Sequence, residues 1–195
     1  MALDRELFEE FCSNREALPV LRIYQALKPA ITIGRAYQKT FLPPSAALQA
    51  VVSRLEICRR PTGGGMVIHG KDLIYSVIAR GDSFPAFHQA RTSYLVFHEA
   101  VQEALLNFGV KTRLLRCDEA KRPAGLRQKL SDCFKNPVGT DVLLEEKKIA
   151  GGGQWRRREG FLHQGSVEIP KGISFEHLKD ALLKAFERKF NIRWL

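Results

Sequence analysis

The chain has 195 residues, 45% of them hydrophobic, which supplies a core without metal or disulfide staples and argues against disorder, collagen and coiled coil. It carries 31 Lys and Arg against 21 Asp and Glu, a net charge of +10 that attracts polyanions, acidic proteins or phosphate-bearing ligands. No apolar run approaches the roughly 20 residues of a membrane span, and the acidic start MALDRELFEEF is unlike a secretory signal, so a cytoplasmic protein without membrane contact is expected.

Leu3, Leu7, Phe8 and Phe11 recur at helical spacing and predict an amphipathic first helix. The β-branched runs Val20–Tyr24 and Ala30–Ile33 read as two strands joined by a turn at Lys28-Pro29 and closed by Gly34. Pro43-Pro44-Ser45 opens a second helix through about Leu55. From Glu56 a short strand runs into PTGGG, followed by strands at Met66–His69 and 73–79. The longest helical pattern covers 86–108, with a stripe of Tyr94, Phe97, Val101, Leu105 and Phe108 and a stop at Gly109. Residues 116–130 are polar and read as an exposed loop. Strands at 140–144 and 161–169 flank a Gly-rich basic stretch, and Ser174 caps a final helix bearing Phe175, Leu178, Leu182, Leu183 and Phe186. Strands and helices in uneven order predict an α+β fold.

Cys12, Cys58, Cys117 and Cys133 are scattered without a CxxC pair, so no metal site or disulfide framework is expected. The pI of 9.7 raises nucleic acid as a partner, but zinc-finger spacing, an RNP signature and a leucine heptad are all missing, and nucleic acid is not expected.

The sharpest chemical segment is Arg59-Arg60-Pro61-Thr62-Gly63-Gly64-Gly65-Met66-Val67-Ile68-His69. Three glycines let backbone amides approach an anion, and two arginines add fixed positive charge. It is neither a Walker loop nor a dinucleotide fingerprint. The plainer alternative is a flexible hairpin tip. A second segment, Lys147-Lys148-Ile149-Ala150-Gly151-Gly152-Gly153-Gln154, again admits close backbone approach and offers an ammonium to an acyl carbonyl or phosphate. Taken singly, its lysines also read as solvated hairpin residues.

Together, RRPTGGGMVIH, KIAGGGQWR and LHQGSV resemble the lipoate-protein ligase and octanoyltransferase family, in order and over most of the chain, with MALDREL and LRIYQALKPAITIG similar to its first helix and strand pair. The resemblance implies a single catalytic domain over 1–195, of the biotin/lipoate protein ligase type, with a mixed sheet flanked by helices and no C-terminal accessory domain. It implies an enzyme that attaches an octanoyl or lipoyl group to a lysine of a lipoyl carrier domain. By it, Arg59, Arg60, Gly63, Gly64, Gly65 and His69 form a loop over the acyl group, Lys148 contacts the reacting carbonyl, and Gly151, His163, Gln164 and Gly165 line the same pocket. A histidine at a strand end is alternatively a satisfied polar group.

Asp132-Cys133-Phe134-Lys135-Asn136-Pro137 resembles the cysteine octanoyltransferases of the family, which pass octanoyl from a carrier protein through a Cys133-type thioester with no cofactor. The ATP-dependent ligases instead take free lipoate, with ATP and magnesium, through an acyl-adenylate. A lone cysteine is alternatively an inert core residue. The sequence departs from the family at Gly152, where a small polar residue is usual, and at Gly70, where an acidic residue often stands, with Asp72 two positions on. The chain also starts directly at the first-helix motif, so the strand that normally precedes it is expected to be missing. Lipoyl carriers are generally acidic, so the basic surface, including Arg156-Arg157-Arg158, suits docking one. A non-catalytic basic binding module is the alternative of another class.

Overall fold

The computed structural model describes residues 1–37, 54–116 and 139–194. The expected helix at 43–55 lies outside the described residues except for 54 and 55, which form a turn rather than helix, and most of the loop at 116–130, Cys117 and Cys133 also lie outside them.

The first helix, α1, spans Ala2–Ser13 and buries Phe8 and Phe11 together with Asp4. Leu3 is instead 46% exposed, because the helix turns its Asp4 face inward. Strands β1 (Val20–Tyr24) and β2 (Ala30–Ile33) do not pair with each other, unlike the simplest reading of two strands about a turn. β2 forms a small sheet, parallel to β3 (Glu56–Arg59) and antiparallel to β4 (Met66–His69).

β1 instead edges a six-stranded antiparallel sheet with β5 (Asp72–Ala79), β6 (Arg113–Leu114), β7 (Val142–Leu144), β8 (Lys147–Arg156) and β9 (Phe161–Glu168), in the order β1-β5-β9-β8-β7-β6. Every residue of β5 is buried, as a central strand covered on both faces requires. On one face Leu73, Tyr75 and Val77 meet α2 (Ala90–Leu106) and α3 (Phe175–Phe190), whose Phe97, Val101, Leu105, Leu182 and Phe186 complete the larger core. On the other, Ile78 and Leu162 receive Phe8 and Phe11 of α1. Gly109 ends the α2 segment at φ 73, and Ser174 caps α3 by accepting the His177 N–H, as expected.

The glycine run at 151–153 lies inside the ten-residue β8 and not between strands. Glycine weakens a strand, but here each missing side chain is a place where another group lies flat on the sheet.

Candidate active site

The arginine–glycine segment forms a loop between β3 and β4 that packs backbone against backbone on the end of β2. A Cβ on Gly34 would stand 2.1 Å from the Gly64 carbonyl oxygen, and Gly64 itself has φ 99, so both positions require glycine. The Gly34 N–H donates to Gly65 O at 3.1 Å and the Arg35 N–H to Thr62 O at 2.9 Å. Arg59 donates to the carbonyls of Gly34, Arg35 and Tyr37 at 3.0, 2.9 and 2.8 Å. Arg60 donates to Gly63 O at 2.9 and 3.1 Å, and to the carbonyl and hydroxyl oxygens of Thr32. Arg60 thus holds a carbonyl of the loop itself, while Arg59 holds the segment after β2 on which the loop packs, so both arginines fix the loop's shape and bring charge to it.

The loop seats on the large sheet at Gly153, where a Cβ would come within 2.8 Å of Gly63 O and 3.1 Å of Thr62 Oγ1. The Thr62 hydroxyl donates to Gln164 Oε1 at 2.8 Å, and Gln164 Nε2 donates to Asp4 Oδ2 at 2.6 Å. Asp4 is fully buried and also accepts from Tyr24 and Ser76, each at 2.9 Å, and from Arg22. A carboxylate on the buried face of α1 thus reaches the glycine loop through one amide side chain.

Lys148 is buried on β8 and its Nζ lies 2.7 Å from Oδ2 of the equally buried Asp141. Pairing between β7 and β8 shifts register here, with Leu143 opposite Lys148 but Val142 opposite Ala150. Such a bulge re-aims a side chain. The Lys148 chain folds back over Gly151, where a Cβ would stand 2.6 Å from Cε and 2.7 Å from Nζ, and 2.7 Å from Asp141 Oδ1. Gly151 and Gly153 share a face of β8, about 7 Å apart along the strand. The amine and the glycine loop therefore cover the same side of the sheet as neighbours.

His69 reaches that side through a hydrogen-bonded row. Its Nδ1 lies 2.6 Å from Asp72 Oδ2 and its Nε2 2.8 Å from the Thr32 hydroxyl. Asp72 also accepts from Ser166 at 2.5 Å and from the Gly70 N–H at 3.0 Å. Burial alone raises the Asp72 carboxyl, but the bonds from His69, Ser166 and Gly70 outweigh it and hold the group below its ordinary value. The carboxylate two positions beyond Gly70 thus turns back onto His69 and the Gly70 N–H. Ser166 stands opposite Gly151 in the β8–β9 register, next to the lysine.

His163 and Gly165 occupy the helix-facing side of the sheet. His163 stacks on Phe97 with centroids 4.4 Å apart, and its ring fills the space that a Gly152 Cβ would take. Gln154 donates to its Nδ1 at 3.1 Å and the Tyr75 hydroxyl lies 3.2 Å from its Nε2. Burial, reinforced by His98, pushes its basicity well below an ordinary histidine. Tyr75 lies over Gly165, where a Cβ would meet its ring at 2.2 Å. Arg59, Arg60, Gly63, Gly64, Gly65, His69, Gly151 and Lys148 gather on one face; His163 and Gly165 lie behind it.

His98 of α2 is buried and holds the approach to Asp141. Its Nδ1 lies 2.6 Å from the carbonyl of Thr140, a β-branched residue at φ 79, a strained geometry costing about 1–3 kcal/mol. Asp141 carries no motif in the sequence, and its role emerges only from the fold. Asp4 could have been found from its spacing to Phe8 and Phe11, which puts a carboxylate on an apolar helix face. Of the remaining thiols, that of Cys12 is pushed up by burial, and the described cysteines Cys12 and Cys58 form no disulfide.

The family model described as the lipoyl protein ligase A/B catalytic domain matches residues 1–192. The chain belongs to this family. Among its relatives, octanoyltransferase LipM of Kyrpidia tusciae is 32% identical over 186 residues, covering 90% of this chain and 66% of that protein. Octanoyltransferase LipM of Geobacillus kaustophilus is 31% identical over 201 residues, covering 97% of this chain and 70% of that one. The chain thus spans about two thirds of the length of these relatives.

Among solved structures, lipoate-protein ligase A bound with ATP superposes with a TM-score of 0.76 at 21% identity, covering all of this chain and 81% of that one. The putative lipoate protein ligase of T. acidophilum with bound lipoic acid gives 0.75 at 20% identity, covering all of this chain and 80% of that one. These likenesses establish the α+β fold of the ligase catalytic domain. Among the described residues no helix is long and apolar enough to cross a membrane.

Proposed function

We propose that residues 1–195 form one catalytic domain that transfers an octanoyl or lipoyl group to a lysine of a lipoyl carrier domain through a thioester on Cys133. The relatives' name, octanoyltransferase LipM, supports the reaction class. The observation that carries the site is the buried Lys148–Asp141 pair set beside the glycine loop across Gly151 and Gly153.

In the first half-reaction the Cys133 thiolate attacks the thioester carbonyl of an octanoyl-bearing carrier protein. A new C–S bond forms on Cys133, the old one breaks, and the donor sulfur leaves as a thiolate. In the second, a lipoyl-domain lysine amine attacks the Cys133 thioester. The amide bond forms, the Cys133 sulfur leaves, and the amine's surplus proton passes to it. Both steps put negative charge on the carbonyl oxygen, which the Lys148 ammonium offsets in a site closed by the glycine loop. A reducing cytoplasm would keep the thiol available. The +10 charge of the chain suits an acidic carrier, with association that weakens as salt is added.

The rival reading, activation of free lipoate by ATP and magnesium, draws on the complete RRPTGGG loop. Arg59 and Arg60 are engaged with backbone carbonyls, and the thioester route asks no phosphate of them. The experiment is a transfer assay with octanoyl-acyl carrier protein and an apo lipoyl domain, run with and without ATP. Octanoylated lipoyl domain at equal rates in both is expected. Product only with ATP, together with lipoate-dependent pyrophosphate exchange, would replace this reading with the ligase one.

A further inference from the structure

We infer that His98 is a positioning residue for Lys148, acting through the strained backbone of Thr140 and the carboxylate of Asp141. The inference rests on the reading of Lys148 as the cation of the reacting site.

Lys148 is placed by Asp141, and Asp141 is placed by its backbone. The residue before it, Thr140, stands at φ 79, where a β-branched side chain is strained and the turn needs outside support. Three hydrogen bonds supply it. The Thr140 N–H donates to Leu115 O and the Leu115 N–H to Asp141 O, both at 2.8 Å, tying the turn to the end of the β6 segment. The third comes from α2, where His98 Nδ1 meets the Thr140 carbonyl at 2.6 Å.

A carbonyl only accepts, so that nitrogen must carry the proton. His98 is 1% exposed, and its Nε2 is buried with no hydrogen-bond partner among the described residues. Leaving a buried polar atom unpaired is unfavourable, and packing alone would be served by an apolar side chain. What the imidazole supplies is the single Nδ1–H. Burial also lowers its basicity, which keeps it neutral beside the ion pair.

Two substitutions separate this role from packing. His98→Asn keeps an N–H donor close to the place of Nδ1, and His98→Leu fills similar volume without one. In His98→Leu the turnover number of octanoyl transfer should fall about ten-fold to a hundred-fold, as misplacement of a reacting group does, with KM for the acyl donor within about two-fold. His98→Asn should retain most of the turnover. Thr140→Gly, which removes the strain at positive φ, should restore turnover when added to His98→Leu.

A readout independent of activity is the exchange of the Lys148 ammonium protons with water, followed by NMR on 15N-lysine-labelled protein. It should be slow in wild type and His98→Asn and faster in His98→Leu. Equal losses in the Asn and Leu variants, or wild-type turnover and slow exchange in a folded His98→Leu, would overturn the inference. If wild type transfers no octanoyl group, the functional reading fails, while the exchange comparison still decides whether His98 holds the pair. If His98→Leu does not fold, the comparison of His98→Asn with Thr140→Gly added to it decides: slow ammonium exchange in both supports the inference, and fast exchange in both overturns it.

Discussion

The Asp141 carboxylate lies 2.7 Å from the Lys148 ammonium, and both side chains are more than nine-tenths buried. Removing one charge strands the other in a low-dielectric site. Asp141→Asn should therefore cost about 3–5 kcal/mol of stability, measured by urea denaturation, and should abolish transfer. Lys148→Met added to Asp141→Asn should recover most of that stability and none of the activity, since no unpaired charge remains. Additive losses in the double variant would mean that the two groups do not act as a pair.

Gly151 tests the placement of the amine with little disturbance of the fold. An added methyl would meet side chains rather than backbone, the Lys148 end at Cε 2.6 Å and Nζ 2.7 Å and the Asp141 carboxylate at Oδ1 2.7 Å. Gly151→Ala should displace the amine and lower turnover by at least about ten-fold, at a smaller loss of melting temperature than Asp141→Asn causes, since both charges of the pair remain. Gly34→Ala is the contrasting case, because its methyl would meet the Gly64 carbonyl oxygen at 2.1 Å and backbone cannot yield so easily. Its main effect should be a lower melting temperature and a loop more open to proteolysis.

Gln164 joins Thr62 of the loop to Asp4 of α1, at 2.8 and 2.6 Å. Gln164→Leu leaves both partners buried without their bond and should cost about 2 kcal/mol in urea denaturation. Because it frees the loop and leaves Lys148 in place, KM for the acyl donor should rise more than turnover falls. A fall in turnover alone, with KM unchanged, would contradict this division of roles.

Stability should depend on pH through two buried histidines. Burial lowers the basicity of His98 and His163 below the ordinary value of 6.5. The unfolded chain then binds protons that the folded chain refuses, so their contribution is complete above about pH 6.5 and is lost as the pH falls through the folded values. Asp72, held below 3.8, adds a second loss at lower pH, as acid neutralises a carboxylate that the fold stabilises in its charged form. Melting temperatures measured from pH 7.5 down to pH 5 should fall, and His163→Phe should flatten that fall even though it lowers stability at pH 7.5. An unchanged slope in His163→Phe would count against the histidine assignment.

The sequence makes the strands with apolar periodicity legible, and it makes the glycine loop and Lys148 legible through the resemblance of their motifs to a known family. It does not show that β1 and β2 part into different sheets, because each run is five residues or fewer and reads the same whichever neighbour it pairs with. It also hides β8, since glycine carries a turn signal and its use as a flat seat for Lys148, His163 and Gly63 exists only once distant segments have met. Asp141 is hidden for the same reason, as a carboxylate before a strand is common and its partner is chosen by a bulge. The small polar residue usual at position 152 gives way to glycine where the His163 ring needs the room. Asp72 is legible as an acid two positions beyond Gly70, but its bonds to His69 and to the Gly70 N–H appear only in the fold.

The proposed acyl transfer runs through a thioester on Cys133, with Lys148 offsetting the charge that develops on the carbonyl oxygen. The most direct measurement is the intact mass of the protein after incubation with octanoyl-acyl carrier protein, with the adduct mapped by peptide sequencing. One octanoyl group is expected, removed by hydroxylamine, located on Cys133, absent in Cys133→Ala and formed far more slowly in Lys148→Ala. No adduct on wild type, or an adduct that persists in Cys133→Ala, would contradict the thioester route.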